Sequence, residues 1–185
     1  MPSLNRGLLL KLQDDYTHYP CFVETGTLCG DTILAMEPHF DTLYTIELSK
    51  RYYNGARSRY NGPKITFLLG DSGIVLGDLA PTLVAPTIFF LDGHWSSGDT
   101  GRGEKDCPLV EEITHIAAAF KHKGIIIVDD FRLFGLGPPT GVGENWMDIR
   151  KDTLLDILGT RIEKVYHLDS ELTKDDRLVI HIHAL

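Results

Sequence analysis

Five times along this chain a short apolar run ends at or just before an acidic residue. The runs cover residues 21–24, 42–47, 65–69, 87–92 and 124–129, with acids at Glu24, Glu47, Asp71, Asp92 and the pair Asp129-Asp130. Strand-length apolar runs separated by segments of helical period are the pattern of βα units in a mostly parallel sheet. The fourth and fifth runs, with Phe89-Phe90-Leu91 and Ile125-Ile126-Ile127-Val128 at their centres, suit strands buried on both faces. Helical segments are expected over residues 31–37, ended by Pro38, over 49–59, broken by Asn61-Gly62-Pro63, and over 108–122 with Pro108 in the first helical position. A first helix is expected over 3–15, capped by Ser3, with Leu4, Leu8 and Leu12 on one face.

After the fifth run the pattern changes. A helix near 146–158, with Trp146 and Met147 as core residues, is followed by strand-like runs at 161–168 and 177–183 joined by a short polar stretch. The expected fold is therefore α/β: a Rossmann-like, doubly wound, mostly parallel sheet with helices on both faces and a C-terminal antiparallel hairpin. No linker or repeat divides the 185 residues, so residues 1–185 read as a single domain. A formal net charge of −8 argues against nucleic acid as a partner, because phosphate backbones are met by basic patches. The first residues carry only a short apolar run, 8–10, and no later run reaches membrane length, so no membrane partner is expected. Cys21, Cys29 and Cys107 have neither disulfide nor zinc spacing, which suits reduced thiols in a cytoplasmic protein.

Ligands of open α/β sheets bind beyond the carboxyl ends of the strands. The acids after all five runs would share that edge, with Gly93 and His94 beside Asp92. The first loop, Glu24-Thr25-Gly26-Thr27-Leu28-Cys29-Gly30-Asp31-Thr32, bears on the cofactor. Its glycines allow a sharp turn and close backbone approach to a ligand. A dinucleotide would set its pyrophosphate there, where Glu24 and Asp31 are costly neighbours. S-adenosylmethionine carries no phosphate, and its ammonium and sulfonium groups favour carboxylates. On this reading Glu24, Thr25, Gly26, Thr27, Gly30, Asp31 and Thr32 belong to the cofactor site, although Glu24 could instead bond only to local backbone. Glu47 follows Gly26 by 21 residues, about the distance at which an acid meets ribose hydroxyls in this topology. Asp71 and Ser72 would lie at the adenine, unless Asp71 serves as N-cap of a helix over 72–79.

The succession ETGTLCGDT, YTIE, LLGDSG, FFLDGHW and IIIVDDF resembles the class I S-adenosylmethionine-dependent methyltransferases over about residues 20–135. Within that class it is similar to metal-dependent O-methyltransferases of the catechol and macrocin types, which place one Asp after the fourth strand and an acidic pair or Asp-Asn after the fifth. The resemblance implies a divalent cation, magnesium, held by Asp92, Asp129 and Asp130; capping of the loop by the last two is the alternative. It implies Asp92 and His94 as catalytic residues and a small hydroxylated acceptor, a carbohydrate first. Two departures stand out. The relatives often carry a basic residue three positions after the first Asp, where this chain has Trp95, and the candidate general base, His94, comes one residue earlier. The segment before the first strand is also short, so the loop 95–106 is expected to serve as lid, with Glu104, Lys105 and Asp106 binding acceptor hydroxyls or simply solvated. His181 and His183 are expected on the solvent side of the last strand, and His115 and His122 without acidic partners. A nicotinamide-dependent oxidoreductase and an inactive S-adenosylmethionine-binding scaffold are the competing functions; the acidic first loop counts against the former.

Overall fold

In the computed structural model, which describes residues 3–96, 100–138 and 143–185, the five apolar runs become β1 (Cys21–Thr25), β2 (Thr42–Glu47), β3 (Ile65–Leu69), β4 (Thr87–Leu91) and β5 (Gly124–Val128). Two further strands follow, β6 (Ile162–Leu168) and β7 (Arg177–Ile182). All seven form one sheet in the order β3-β2-β1-β4-β5-β7-β6. The first five are parallel, while β7 runs antiparallel to both β5 and β6. β1 is the hinge of this order, because successive strands step away from it on one side to β2 and β3 and on the other to β4 and β5. The crevice at the carboxyl ends of β1 and β4 is therefore the switch point where such sheets bind ligands.

Alternation along the strands divides the interior in two. Val23, Phe89, Leu91, Ile126 and Val128 face one core with α4 (Ser72–Leu79), α5 (Leu109–Ala119) and α6 (Lys151–Leu158). Phe22, Ile88, Phe90, Ile125 and Ile127 face the other, with the N-terminal segment, α2 (Asp31–Met36) and α3 (Lys50–Ser58). Period-2 alternation with both faces apolar is what a central strand covered by helices requires. Among the described residues no helix is long and apolar enough to cross a membrane.

Four expectations are corrected. The first helix is only α1 (Arg6–Leu9), capped by the side chain of Asn5, which accepts from Leu8 N, and not by Ser3. Ser3 N instead donates to Thr32 Oγ1 at 2.9 Å. Downstream, Asp15 accepts from Thr17 N, a local bond that competes with helix, so the segment bends while still burying Leu4, Leu8 and Leu12. Pro108 stands at the N-cap of α5 and not in its first turn. The last helix begins at Lys151 because the backbone of Trp146 is taken up by Leu136 O and Gly135 N; Trp146 is buried, but Met147 is 56% exposed. His181 is only 2% exposed. It shares its face of β7 with Val179, which is buried in the core formed with the N-terminal segment, and the ring bonds to the Tyr166 hydroxyl at 3.0 Å. His183 is exposed as expected.

Candidate functional site

Gly26 follows β1 with φ of +81°, and a Cβ there would stand 2.3 Å from the carbonyl oxygen of Asp92. The first loop and the exit of β4 thus touch backbone to backbone, and only glycine permits both the conformation and the approach. Over this contact opens a crevice enclosing about 720 Å³ of empty space, its mouth included. Gly26 and Leu28 line it from the first loop, Glu47 and Leu48 from the end of β2, Tyr52 from α3, Asp71 and Ser72 from the start of α4, and Asp92 to Ser96 from the end of β4. Residues of the expected lid complete the wall, among them Gly101, Gly103, Lys105 and Asp106; residues 97–99 of that loop lie outside the described residues. The strap lies close: a Cβ on Gly101 would be 2.9 Å from Leu48 Cβ, and one on Gly103 would be 2.7 Å from Asp71 Oδ2.

The strand-end acids differ in what they face. Glu47 is held by two backbone amides, Leu28 N on Oε2 and Ser49 N on Oε1, both at 2.8 Å. These bonds fix a carboxylate at the crevice wall and leave lone pairs free for vicinal hydroxyls. Asp71 does serve as N-cap of α4, accepting from Gly73 N at 2.9 Å, and it also lines the crevice. Glu24 is 1% exposed and is not among the described wall residues. Its Oε2 accepts from the Thr45 hydroxyl, which is paired in turn with Thr27 Oγ1, each at 2.5 Å. Burial, aided by Asp92 and Glu47 and opposed by Thr45, pushes Glu24 well above the usual carboxylate range beneath the crevice floor. Thr25 Oγ1 accepts from Asp92 N at 3.2 Å, and Thr32 Oγ1 is taken by Ser3 N. Gly30 turns into α2 with φ of +80°. Asp31 lies at the surface, paired with Arg59 at 2.8 Å. These last residues shape the loop from behind.

Beyond Asp92 a second constellation begins. Nε2 of His94 lies 2.9 Å from Asp130 Oδ2 and 3.5 Å from Asp92 Oδ1, and Nδ1 is 3.2 Å from Glu144 Oε2. The Nδ1 contact is a meeting of charges and not an aligned hydrogen bond. The ring packs edge-on against Trp146, with centroids 5.0 Å apart, and Trp146 Nε1 donates to Glu144 at 3.1 Å. Burial works against a charge on His94, yet the neighbouring carboxylates of Asp130, Asp92 and Glu144 outweigh it and push the ring up to about 12. It is therefore an imidazolium at neutral pH. Asp92 is raised by burial against the pull of His94. Asp130 is raised by burial but held below its usual range overall by His94 and Arg132.

Asp129 is turned elsewhere. Its Oδ1 faces Arg177 Nε at 3.2 Å, and burial and Asp92 push it up to about 7 against that arginine. Arg177 is itself buried, and it also donates to Ser3 O at 2.6 Å and Asp169 O at 2.9 Å. Arg132 bridges Asp130 and the buried Asp176. Each carboxylate of the expected magnesium set thus already faces a cation of the chain. The ligand atoms that converge within 4.8 Å of one another are Asp92, His94 and Asp130, or Asp129, Asp130 and Asp176. Magnesium wants oxygen donors in octahedral array, so a set centred on an imidazole and crossed by two arginines does not fit it.

Glu144, Arg132, Asp176 and Arg177 escaped the sequence reading, and Trp146 enters it only as core, since the contacts Glu144–His94, Trp146–His94, Arg132–Asp176 and Arg177–Asp129 join distant parts of the chain. One residue did carry a signal: Glu112 falls at the apolar spacing of Leu109, Ile113 and Ile116, an acid on the buried face of α5.

In sequence, no protein-family model and no curated protein matches the chain. In structure, it is similar to the O-methyltransferase TomG of Streptomyces achromogenes, involved in tomaymycin synthesis and solved with S-adenosylmethionine, with a TM-score of 0.65 at 16% identity over 97% of this chain and 80% of that one. What the two chains share is the fold, a Rossmann-like, mostly parallel sheet with an antiparallel C-terminal hairpin. The N-methyltransferase NodS of Bradyrhizobium japonicum WM9 shares it with a TM-score of 0.59 at 14% identity, over 96% of this chain and 93% of NodS. So does fibrillarin, solved in complex with Nop5p, with a TM-score of 0.59 at 16% identity over 96% and 79% of the two chains.

If the crevice takes the adenosyl group, Glu47→Ala removes the acceptor for the ribose diol and frees the amides of Leu28 and Ser49. S-adenosylhomocysteine should then bind on the order of 1–3 kcal/mol more weakly in calorimetry. Unchanged affinity in a folded variant would reassign Glu47 to loop structure alone.

Proposed function

We propose that this chain is an S-adenosylmethionine-dependent methyltransferase that methylates a hydroxyl group of a small polar acceptor, a sugar being the first choice. The observation that carries this reading is the crevice at the β1–β4 switch point, walled by the carboxylates Glu47, Asp71 and Asp92 and joined to the His94 cluster. Among the described residues the wall holds one lysine, Lys105, and its ammonium is paired with Glu111, an arrangement that disfavours a pyrophosphate. The glycine at residue 26 lets the first loop and the exit of β4 close on each other backbone to backbone beneath the crevice. S-adenosylmethionine supplies the methyl group and leaves as S-adenosylhomocysteine. The acceptor hydroxyl forms the new O–CH3 bond and gives up its proton. His94, protonated, cannot take that proton; the raised carboxylate of Asp92 can. His94 holds Asp92 and Asp130 in place and balances their charge beside the reacting oxygen. The polar lid residues Lys105 and Asp106 are placed to meet further hydroxyls of the acceptor.

No step is drawn through a metal. S-adenosylhomocysteine should bind in excess chelator and raise the melting temperature, by about 2.7 kcal/mol of stabilisation at a hundredfold excess over Kd, whereas a nicotinamide dinucleotide should not bind. Methyl transfer to hydroxylated acceptors, followed with labelled donor, should survive the same chelator. Dinucleotide binding, or transfer that chelator abolishes and magnesium restores, would overturn the reading.

A further inference from the structure

His94 meets its third carboxylate on a stretch that comes from far along the chain and has few ties of its own. Glu144 Oε2 stands 3.2 Å from His94 Nδ1 and accepts from Trp146 Nε1 at 3.1 Å. Residues 143–145 belong to no helix or strand. Among the described residues their backbone makes one hydrogen bond, in which Asn145 N donates to Asp106 Oδ2 at 3.1 Å. That bond sets where the Glu144 side chain leaves the backbone.

Asp106 gives the bond a fixed origin. Its side chain is 8% exposed. Arg102 grips both carboxylate oxygens, with Nε on Oδ1 at 2.7 Å and Nη2 on Oδ2 at 3.2 Å, a two-point hold that fixes the plane of the carboxylate. The same guanidinium lies 4.1 Å from the centre of the Trp95 ring, and Trp95 N donates to Asp106 O at 2.7 Å. Trp95 follows His94 directly. Two routes to His94 therefore meet at Asp106: its own strand exit through Trp95 and Arg102, and Glu144 through Asn145. Asp106 Oδ1 keeps a lone pair for an acceptor hydroxyl, so anchoring and acceptor contact do not compete.

We infer that Asp106 is a positioning residue whose carboxylate anchors the Asn145 amide and thereby sets Glu144 against His94. The kcat readout below rests on the chain being a methyltransferase; the exchange readout does not.

Two variants separate anchoring from space-filling. Asp106→Asn keeps an oxygen that the amide can reach, and Asp106→Leu keeps the branched shape without one. Exchange of the Asn145 amide proton and of the Trp146 indole proton, which Glu144 accepts, is followed by NMR, with amides of β4 as the control for folding. Both protons should be protected in the wild type, and Asp106→Asn should match it within roughly threefold. Asp106→Leu should keep its β4 protection yet lose about tenfold at both protons, the loss of one hydrogen bond, and about tenfold in kcat, with a smaller change in the Kd of S-adenosylhomocysteine. An unprotected Asn145 amide in the wild type, or wild-type exchange of the Trp146 indole in folded Asp106→Leu, would overturn the inference. If Asp106→Leu does not fold, Asp106→Asn decides, since a tenfold loss with the acceptor oxygen in place would overturn it as well. If the wild type transfers no methyl group, the functional reading falls, and the exchange results alone decide the role of Asp106.

Discussion

Gly26→Ala should abolish S-adenosylhomocysteine binding and lower the melting temperature more than any other single change in the first loop. Two costs combine. The left-handed backbone at φ of +81° disfavours a side chain by about 1–2 kcal/mol. The new methyl would also stand 2.3 Å from the Asp92 carbonyl oxygen and 3.1 Å from Gly93 Cα, backbone atoms that cannot swing aside. Forcing β1 and β4 apart there costs roughly another 1–3 kcal/mol, as overpacking does. Relief can come only by moving the exit of β4, which carries Asp92 and His94 with it. Thermal melting and calorimetry check this; a variant as stable as the wild type with unaltered affinity would show that the two loops are not held in contact.

His94→Ala should slow methyl transfer by roughly 10²–10³-fold, the range for removing a preorganised charge beside a reacting oxygen, with affinity for S-adenosylhomocysteine little changed. His94 is the cation that Asp92, Asp130 and Glu144 share. Without it three partly buried carboxylates face one another, and at least one takes up a proton or a foreign cation. The variant should therefore bind Mn2+ where the wild type does not, a gain visible in the paramagnetic spectrum of the ion. Tight Mn2+ binding by the wild type, unaltered in His94→Ala, would restore the metal to the site. Transfer at the wild-type rate would remove His94 from the chemistry.

The parallel part of the sheet was legible because each of its strands is a local signal: an apolar run of strand length, closed by an acid or a glycine. β2 and β3 begin and end where the apolar runs do, and β1, β4 and β5 differ by a residue at one end. The strand-end acids were legible for the same reason, since topology alone brings them to one edge. What each acid does there was not. Glu24 and Glu47 lie at the ends of their strands, but one is sealed under Thr45 and the other is held open by the amides of Leu28 and Ser49, a difference set by pairings between β1, its loop and the end of β2. Asp129 and Asp130 are adjacent in sequence, yet the left-handed backbone at Asp130 sends their side chains to different cations, Arg177 on β7 and His94 after β4. The helix ends failed where a side chain competed locally, as at Asn5 and Asp15, or where a distant pairing claimed the backbone, as at Trp146. His181 misled because alternation on a hairpin implies a wet face, whereas the face it shares with Val179 is covered by the N-terminal segment, whose Gln13 N donates to the same Tyr166 hydroxyl.

That insertion also orders events during synthesis. β5 leaves the ribosome with one edge unpaired, an Ile-Ile-Ile-Val ribbon well suited to pairing with another chain. β6 emerges next but cannot cover it, because the place beside β5 belongs to β7. Arg177, the cation that faces Asp129 after β5, arrives with that same late strand. Until then the nascent sheet carries both an open hydrophobic edge and an Asp129 without its arginine. Slowing translation between β5 and β7 should accordingly raise aggregation far more than slowing it before β4, which makes the interval a natural point for a holding chaperone to act.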